Sequence, residues 1–224
     1  MAKKPKKAYR NATLPSKKTI DEGIYIDFEG FAPHKKSGKK RPPSLIGIYR
    51  PADDCFRQIV FNDVFEHAIQ NTNVGYPIIF NTNIKSVLNE LVSEARKKRP
   101  LFAFSEHEFL IIDKAIGKKR SIKKRYRNVR PIAQRYFTDK HPDKPIPRSL
   151  LEVAERLKLD TTDKIKDKTI VERMKEVKKH SCSAVKWASA PTKIKKKWNE
   201  ILEHNKWDCM IMHEALRKFL CHDQ

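Results

Sequence analysis

Residues 23–29 read Gly-Ile-Tyr-Ile-Asp-Phe-Glu. Ile24, Ile26 and Phe28 alternate with Tyr25, Asp27 and Glu29, which is the two-residue period of a strand. In a strand, residues i and i+2 point to the same face, so Asp27 and Glu29 stand side by side at the end of an apolar run. Two adjacent carboxylates repel, so either one carries a proton or a cation sits between them. Mg²⁺ or Mn²⁺, which take oxygen ligands, are the usual cations. The plainer reading is an edge strand whose acidic face lies in water, and D-x-E alone does not choose between the two.

Working outward, residues 30–43 combine Gly, Pro and Lys and read as a flexible basic loop. SLIGIY (44–49) and FRQIVF (56–61) are two more strands, joined by PADDC with its turn chemistry. Short links predict an antiparallel meander of the first three strands. The period then changes. Ile84, Val87, Leu88, Leu91 and Val92 recur at helical spacing and predict a helix over 83–98. LFAF (101–104) is a buried strand, and 105–117 a helix closed by Gly117. A strand near 127–130, a helix from Pro131 and an amphipathic helix over 148–159 follow. Further helices are expected at 168–180, 192–203 and 204–221. This order predicts an α/β fold, a mixed sheet flanked by helices. Residues 1–20 are polar and basic and are expected to form a disordered arm, with 21–224 as one domain.

Charge narrows the function. The 224 residues hold 49 Lys+Arg against 27 Asp+Glu, a formal net charge of +22. The excess is blocky: 12 basic against 4 acidic residues over 1–41, 13 against 2 over 114–148, and 13 against 6 over 158–200. The stretch between the first two blocks carries 7 basic and 9 acidic residues, and the stretches outside the three blocks together hold most of the carboxylates. A basic surface of this kind fits a polyanion, nucleic acid first, although solvated lysine for solubility is the bland alternative. No run approaches the roughly 20 apolar residues of a membrane span, and the start has no apolar stretch of a secretory signal. Cys55, Cys182, Cys209 and Cys221 form no C-x-x-C, so a structural zinc site is not expected. An intracellular protein, cytoplasmic or nucleoid-associated, is the expectation.

Two further sets carry potential chemistry. Ser105-Glu106-His107-Glu108 follows the LFAF strand. It reads as a capping box, in which Glu108 reaches back to the helix start, or as a third carboxylate at a strand-to-helix junction. His204 and Asp208 in HNKWD share a helix face at i, i+4. An Asp among apolar neighbours is costly to bury unless paired or metal-bound, whereas an Asp at a helix start is favoured by the macrodipole.

Taken in this order, IYIDFEG, Phe104 through Glu108, and HNKWDC (204–209) resemble the motifs of the ribonuclease-H-like fold of the DEDD exonuclease superfamily. More narrowly, the chain resembles domains related to predicted RecB-type nucleases. The helix SLLEVAERL (149–157) is similar to one the family carries between its second and third motifs, and the resemblance covers about residues 22–221. Two positions depart from it: His204 stands where one subclass has Tyr, and Asn128-Val129 where many relatives have Asp-Leu. The resemblance implies that Asp27, Glu29, Glu108 and Asp208 bind two Mg²⁺ or Mn²⁺ ions and that His204 orients or deprotonates the attacking water. It implies a 3′→5′ exonuclease or related nuclease acting on DNA or RNA. Lys35, Lys36, Lys39, Lys40 and Arg41, with Lys118, Lys119, Arg120, Lys123, Lys124 and Arg125, would then neutralise backbone phosphates. The competing expectations are a non-catalytic nucleic-acid-binding protein on the same fold and a polyanion-binding module of another class.

Overall fold

The alternation of residues 23–29 becomes β1, Ile24–Glu29, and it sorts the two faces of the molecule. β2 (Leu45–Arg50) and β3 (Cys55–Val60) complete the antiparallel meander. β4 (Ile78–Phe80) pairs parallel to β3, β5 (Leu101–Ala103) parallel to β1, and β6 (Tyr126–Asn128) parallel to β5. The sheet order is β4-β3-β2-β1-β5-β6, and only β2 runs against the rest. The computed structural model describes residues 12–31, 42–70, 72–96, 99–117, 122–161 and 167–221. Lys35, Lys36, Lys39, Lys40, Arg41, Lys118, Lys119 and Arg120 therefore lie outside the described residues.

The described helices are α1 (Lys17–Asp21), α2 (Glu66–Gln70), α3 (Ile84–Arg96), α4 (Glu106–Ile116) and α5 (Val129–Lys140). They continue with α6 (Leu150–Arg156), α7 (Asp167–Ser181), α8 (Ala184–Ala188) and α9 (Thr192–Cys221). α3 and α4 cover one face of the sheet, where Ile24, Ile26, Ile46 and Ile48 pack with Val87, Leu88, Leu91 and Ile112. The other face belongs to α9. Toward its end, Met212, Leu216 and Phe219 pack with Tyr25, Phe102, Phe137 of α5 and Val153 of α6. Toward its start, Trp198, Ile201 and Leu202 pack with Leu45, Val60 and Met174 of α7. β1 thus turns its isoleucines to α3 and α4, and Tyr25, Asp27 and Glu29 to α9.

Several sequence expectations need correction. β1 is central, between β2 and β5, so its acidic face is covered and the edge-strand reading fails. The arm expected through residue 20 gives way to helix at Lys17, because Ile20 is fully buried and Asp21 Oδ1 lies 3.2 Å from His213 Nε2 on α9. The two helices expected at 192–203 and 204–221 are one. At the expected boundary His204 and Asn205 are buried and meet Glu29 and Asp27 of β1. β4, α2 and α8 were not anticipated; each is five residues or fewer, too short to show a period. Gly117 closes α4 as expected, in the left-handed region at φ 64°, which favours glycine. Among the described residues no helix is long and apolar enough to cross a membrane.

Candidate metal centre

The chain leaves β1 to one side for β2, β3 and β4, then crosses over through α3 to lay β5 on the other side. Open α/β sheets place ligand sites outside the carboxyl ends of their strands at such a reversal. Here the carboxyl ends of β1, β5 and β6 lie at one edge of the fold. A cavity of about 630 Å³ opens there. Its wall contains Asp27, Phe28 and Glu29 of β1, Phe104, Ser105 and Glu108 after β5, and Arg130 after β6. Asp208 of α9 and Arg148, Ser149, Leu150 and Leu151 at the start of α6 complete it. All four carboxylates singled out in the sequence therefore meet one cavity.

Their supports differ. Asp208 sits in the middle of a 30-residue helix, where the macrodipole, confined to the end turns, gives it no help. His204, one turn earlier, points its Nε2 between two carboxylates, 3.3 Å from Glu29 Oε1 and 3.4 Å from Asp208 Oδ2. Ligand atoms of Glu29, His204 and Asp208 all lie within 4.8 Å of one another, close enough for one cation to span. The imidazole is only 1% exposed and is not part of the cavity wall. It meets the carboxylates from behind, which differs from the water-facing position implied by the resemblance. Two carboxylates and one imidazole nitrogen make a donor set that could hold a cation.

Asp27 is held differently. In the sheet, Asp27 pairs with Gly47 of β2, and Gly47 with Gln58 of β3, so the three form a row on the α9 face. Asn205 of α9 lies on that row, fully buried. Its Nδ2 donates to Asp27 Oδ2 at 2.8 Å and to Asp27 O at 3.1 Å. Its Oδ1 accepts from Gln58 Nε2 at 2.9 Å, and that amide also donates to Leu202 O at 2.8 Å. The amide is thus fixed at both ends, and Asp27 with it. Gly47 makes the approach possible: a Cβ there would overlap Asn205 Oδ1 and stand 3.0 Å from Asn205 Cγ and 3.1 Å from Cys209 Sγ. Burial, and then the charges of Asp27 and Asp208, push the Cys209 thiol well above its usual range, so it stays protonated beside them.

Glu108 answers both sequence readings. Ser105 caps α4 through its side chain, accepting from His107 N, while its hydroxyl donates to Glu108 Oε2 at 2.8 Å. Yet the Glu108 carboxyl, 7% exposed, is also part of the cavity wall. Burial raises its pKa above the usual 4.5, against the pull of its own and Ser105's backbone amides and of the Ser105 and Tyr126 hydroxyls. A raised carboxyl holds its proton in the folded state where the unfolded chain has already lost it. Stability therefore falls as pH climbs from about 4.5 through the folded pKa. Glu108→Gln, which keeps an oxygen for Ser105, removes that loss. In EDTA at pH 7 the variant is expected to melt about 2–4 °C higher, roughly 1 kcal/mol at this length. A lower melting temperature than wild type would refute the strain at Glu108.

The sequence missed three participants. Asn205 was signalled in the α9 stripe Ile194, Trp198, Ile201, Asn205, Asp208, Met212, Ala215, Phe219, where an amide and then a carboxylate interrupt an otherwise apolar spacing. Arg130 and Arg148 carried no local signal, because they become neighbours only when α5 and α6 pack on α9. Of the basic residues anticipated as phosphate contacts, Lys123 and Lys124 are exposed and Arg125 is half-buried, and none is in the cavity wall. No family model, no curated protein and no solved structure matches this chain.

Proposed function

We propose that this chain is a divalent-metal-dependent nuclease that hydrolyses phosphodiester bonds of DNA or RNA, in the 3′→5′ mode that the resemblance implies. The observation that carries this reading is the convergence of Asp27, Glu29, Glu108 and Asp208, from three distant parts of the chain, on one cavity. A core of sheet and helices has no need of four carboxylates in one place, since each raises the cost of ionising the others. The antiparallel meander with two parallel strands beside β1 supports a ribonuclease-H-like sheet.

Asp27, Glu29 and Asp208 would hold the cations, with Glu108 completing the set. Divalent ions there supply an activated water and neutralise charge on the phosphoryl oxygens. Asn205 fixes the direction of Asp27. His204 holds Glu29 and Asp208 together by placing one ring nitrogen between two groups that repel. Ser105 orients Glu108. The Lys/Arg excess raises the local concentration of phosphate without reading sequence.

The second reading, a basic protein that binds nucleic acid without cutting it, shares the +22 charge. It gives no reason for a buried Glu108, which costs stability and attracts no polyanion. The test is cleavage. Single- and double-stranded DNA and RNA, labelled at either end, are incubated with the protein in Mn²⁺, Mg²⁺ or EDTA. Shortening from the 3′ end is expected with Mn²⁺, less with Mg²⁺ and none with EDTA. Intact substrates in Mn²⁺ would sink the proposal.

A further inference from the structure

Arg130 and Arg148 stand where two cavities meet. Both belong to the wall of the carboxylate cavity, and both, with Ser105, also border a neighbouring cavity of about 1050 Å³. The second cavity lies between α5 and the segment entering α6. Its wall includes Pro131, Pro145 and Ile146 beside the amides of Asn128 and Gln134. We infer that Arg130 and Arg148 form a phosphate subsite that carries a phosphodiester strand from the carboxylate cavity into this second one. The inference rests on the nuclease reading and extends it to the path of the substrate.

The two arginines are suited to the task by placement. Neither guanidinium has an ion-pair partner among the described residues, in a chain where Arg50, Arg99 and Arg173 all do. Arg130 is half-buried and Arg148 exposed, so both can meet a ligand. Their backbones are anchored. Asn128 caps α5 by accepting from Arg130 N at 3.0 Å, and Glu152 Oε2 accepts from Arg148 N at 2.8 Å. Behind them, Val129, Ile132, Leu150 and Val153 lock α5 and α6 into the core shared with α9. With the backbones held, only the two side chains have to order on a phosphate, and a guanidinium matches phosphate oxygens in pairs. The negative groups nearby are Glu106 and Glu152 in the second wall and the four carboxylates in the first. Glu152 is already turned to the Arg148 amide. Each cavity is of the size that takes a small-molecule ligand, so a nucleotide unit fits on either side of the arginines. The prolines and Ile146 offer an apolar surface to a base, and the amides offer donors and acceptors to its edge.

The test uses a ligand too short to reach the other basic segments. Fluorescein-labelled DNA and RNA tetranucleotides are titrated by anisotropy in Ca²⁺, in an Asp27→Asn background that prevents turnover and keeps the bond from Asn205. Arg130→Ala and Arg148→Ala are each expected to weaken binding about tenfold and to lower the salt slope by about one unit. Lys85→Ala and Lys114→Ala, exposed on the helices of the opposite face, remove the same charge and are expected to stay within about twofold of the parent. The arginines make no side-chain contacts that the fold needs, so melting temperatures stay unchanged and folding does not confound the result. Arginine variants that bind like the parent, or lysine variants that lose as much, would overturn the subsite. Failure of the nuclease reading is seen separately, as intact substrate with wild-type protein in Mn²⁺, because tetranucleotide affinity does not depend on turnover.

Discussion

Asp27→Ala is expected to lower metal-dependent cleavage by at least about 10³-fold while leaving the affinity for a long oligonucleotide within about twofold. A loss of that size is roughly 4 kcal/mol of transition-state stabilisation, the scale of one misplaced cation at a phosphoryl centre. Binding survives because most of the affinity of so basic a chain comes from counterion release along the backbone, which one carboxylate does not govern. Folding survives as well. The substitution removes one member of a repelling group, and the Asn205 amide keeps its bond to the Asp27 main-chain oxygen at 3.1 Å. Asp27→Asn, which preserves the side-chain bond also, serves as the folding control and is expected to be as inactive. The measurement is initial cleavage rate in Mn²⁺ beside anisotropy on the same preparation. Cleavage retained in both variants would remove the catalytic role from this cavity.

Gly47→Ala carries the largest expected effect on stability. The added methyl meets Asn205, and Asn205 has nowhere to move, being buried and bonded on both sides of its amide. Displacing it leaves Gln58 and Asp27 with broken partners in a dry environment, at about 1–3 kcal/mol for each unsatisfied group. The expected loss is about 3 kcal/mol, some 6–12 °C in Tm for a chain of this size. On the proposed nuclease reading, cleavage is expected to fall too, because Asp27 loses its brace. A double-mutant cycle isolates the cause. If the clash with Asn205 is responsible, Gly47→Ala costs much less in an Asn205→Ala background. Equal costs in both backgrounds would place the strain at Cys209 instead.

These two positions mark how far the sequence could be read. The alternation in β1 was legible because period two is a local property, and it correctly set Asp27 and Glu29 on one face. Glu108 was legible as a residue with two readings, and it both bonds the capping Ser105 and lines the cavity. The row Asp27–Gly47–Gln58 was not legible, since register between strands depends on pairing across distant segments. Gly47 in SLIGIY carried no signal of its own, and it is the opening that admits Asn205. Helix α9 was expected as two helices meeting between residues 203 and 204, yet His204 and Asn205 at that boundary are buried in one continuous helix. Short elements such as β4 were missed because three residues show no period.

Helix α9 has one more consequence. At 30 residues it is about 45 Å long, and it contributes to two of the three apolar clusters. His204, Asn205 and Asp208 lie between those clusters, away from the fraying ends of the helix. Amide protons in this middle stretch are expected to exchange with solvent only when the fold opens as a whole. Heat would not loosen the centre ahead of the scaffold. The carboxylate cavity and the fold would disappear in a single cooperative step.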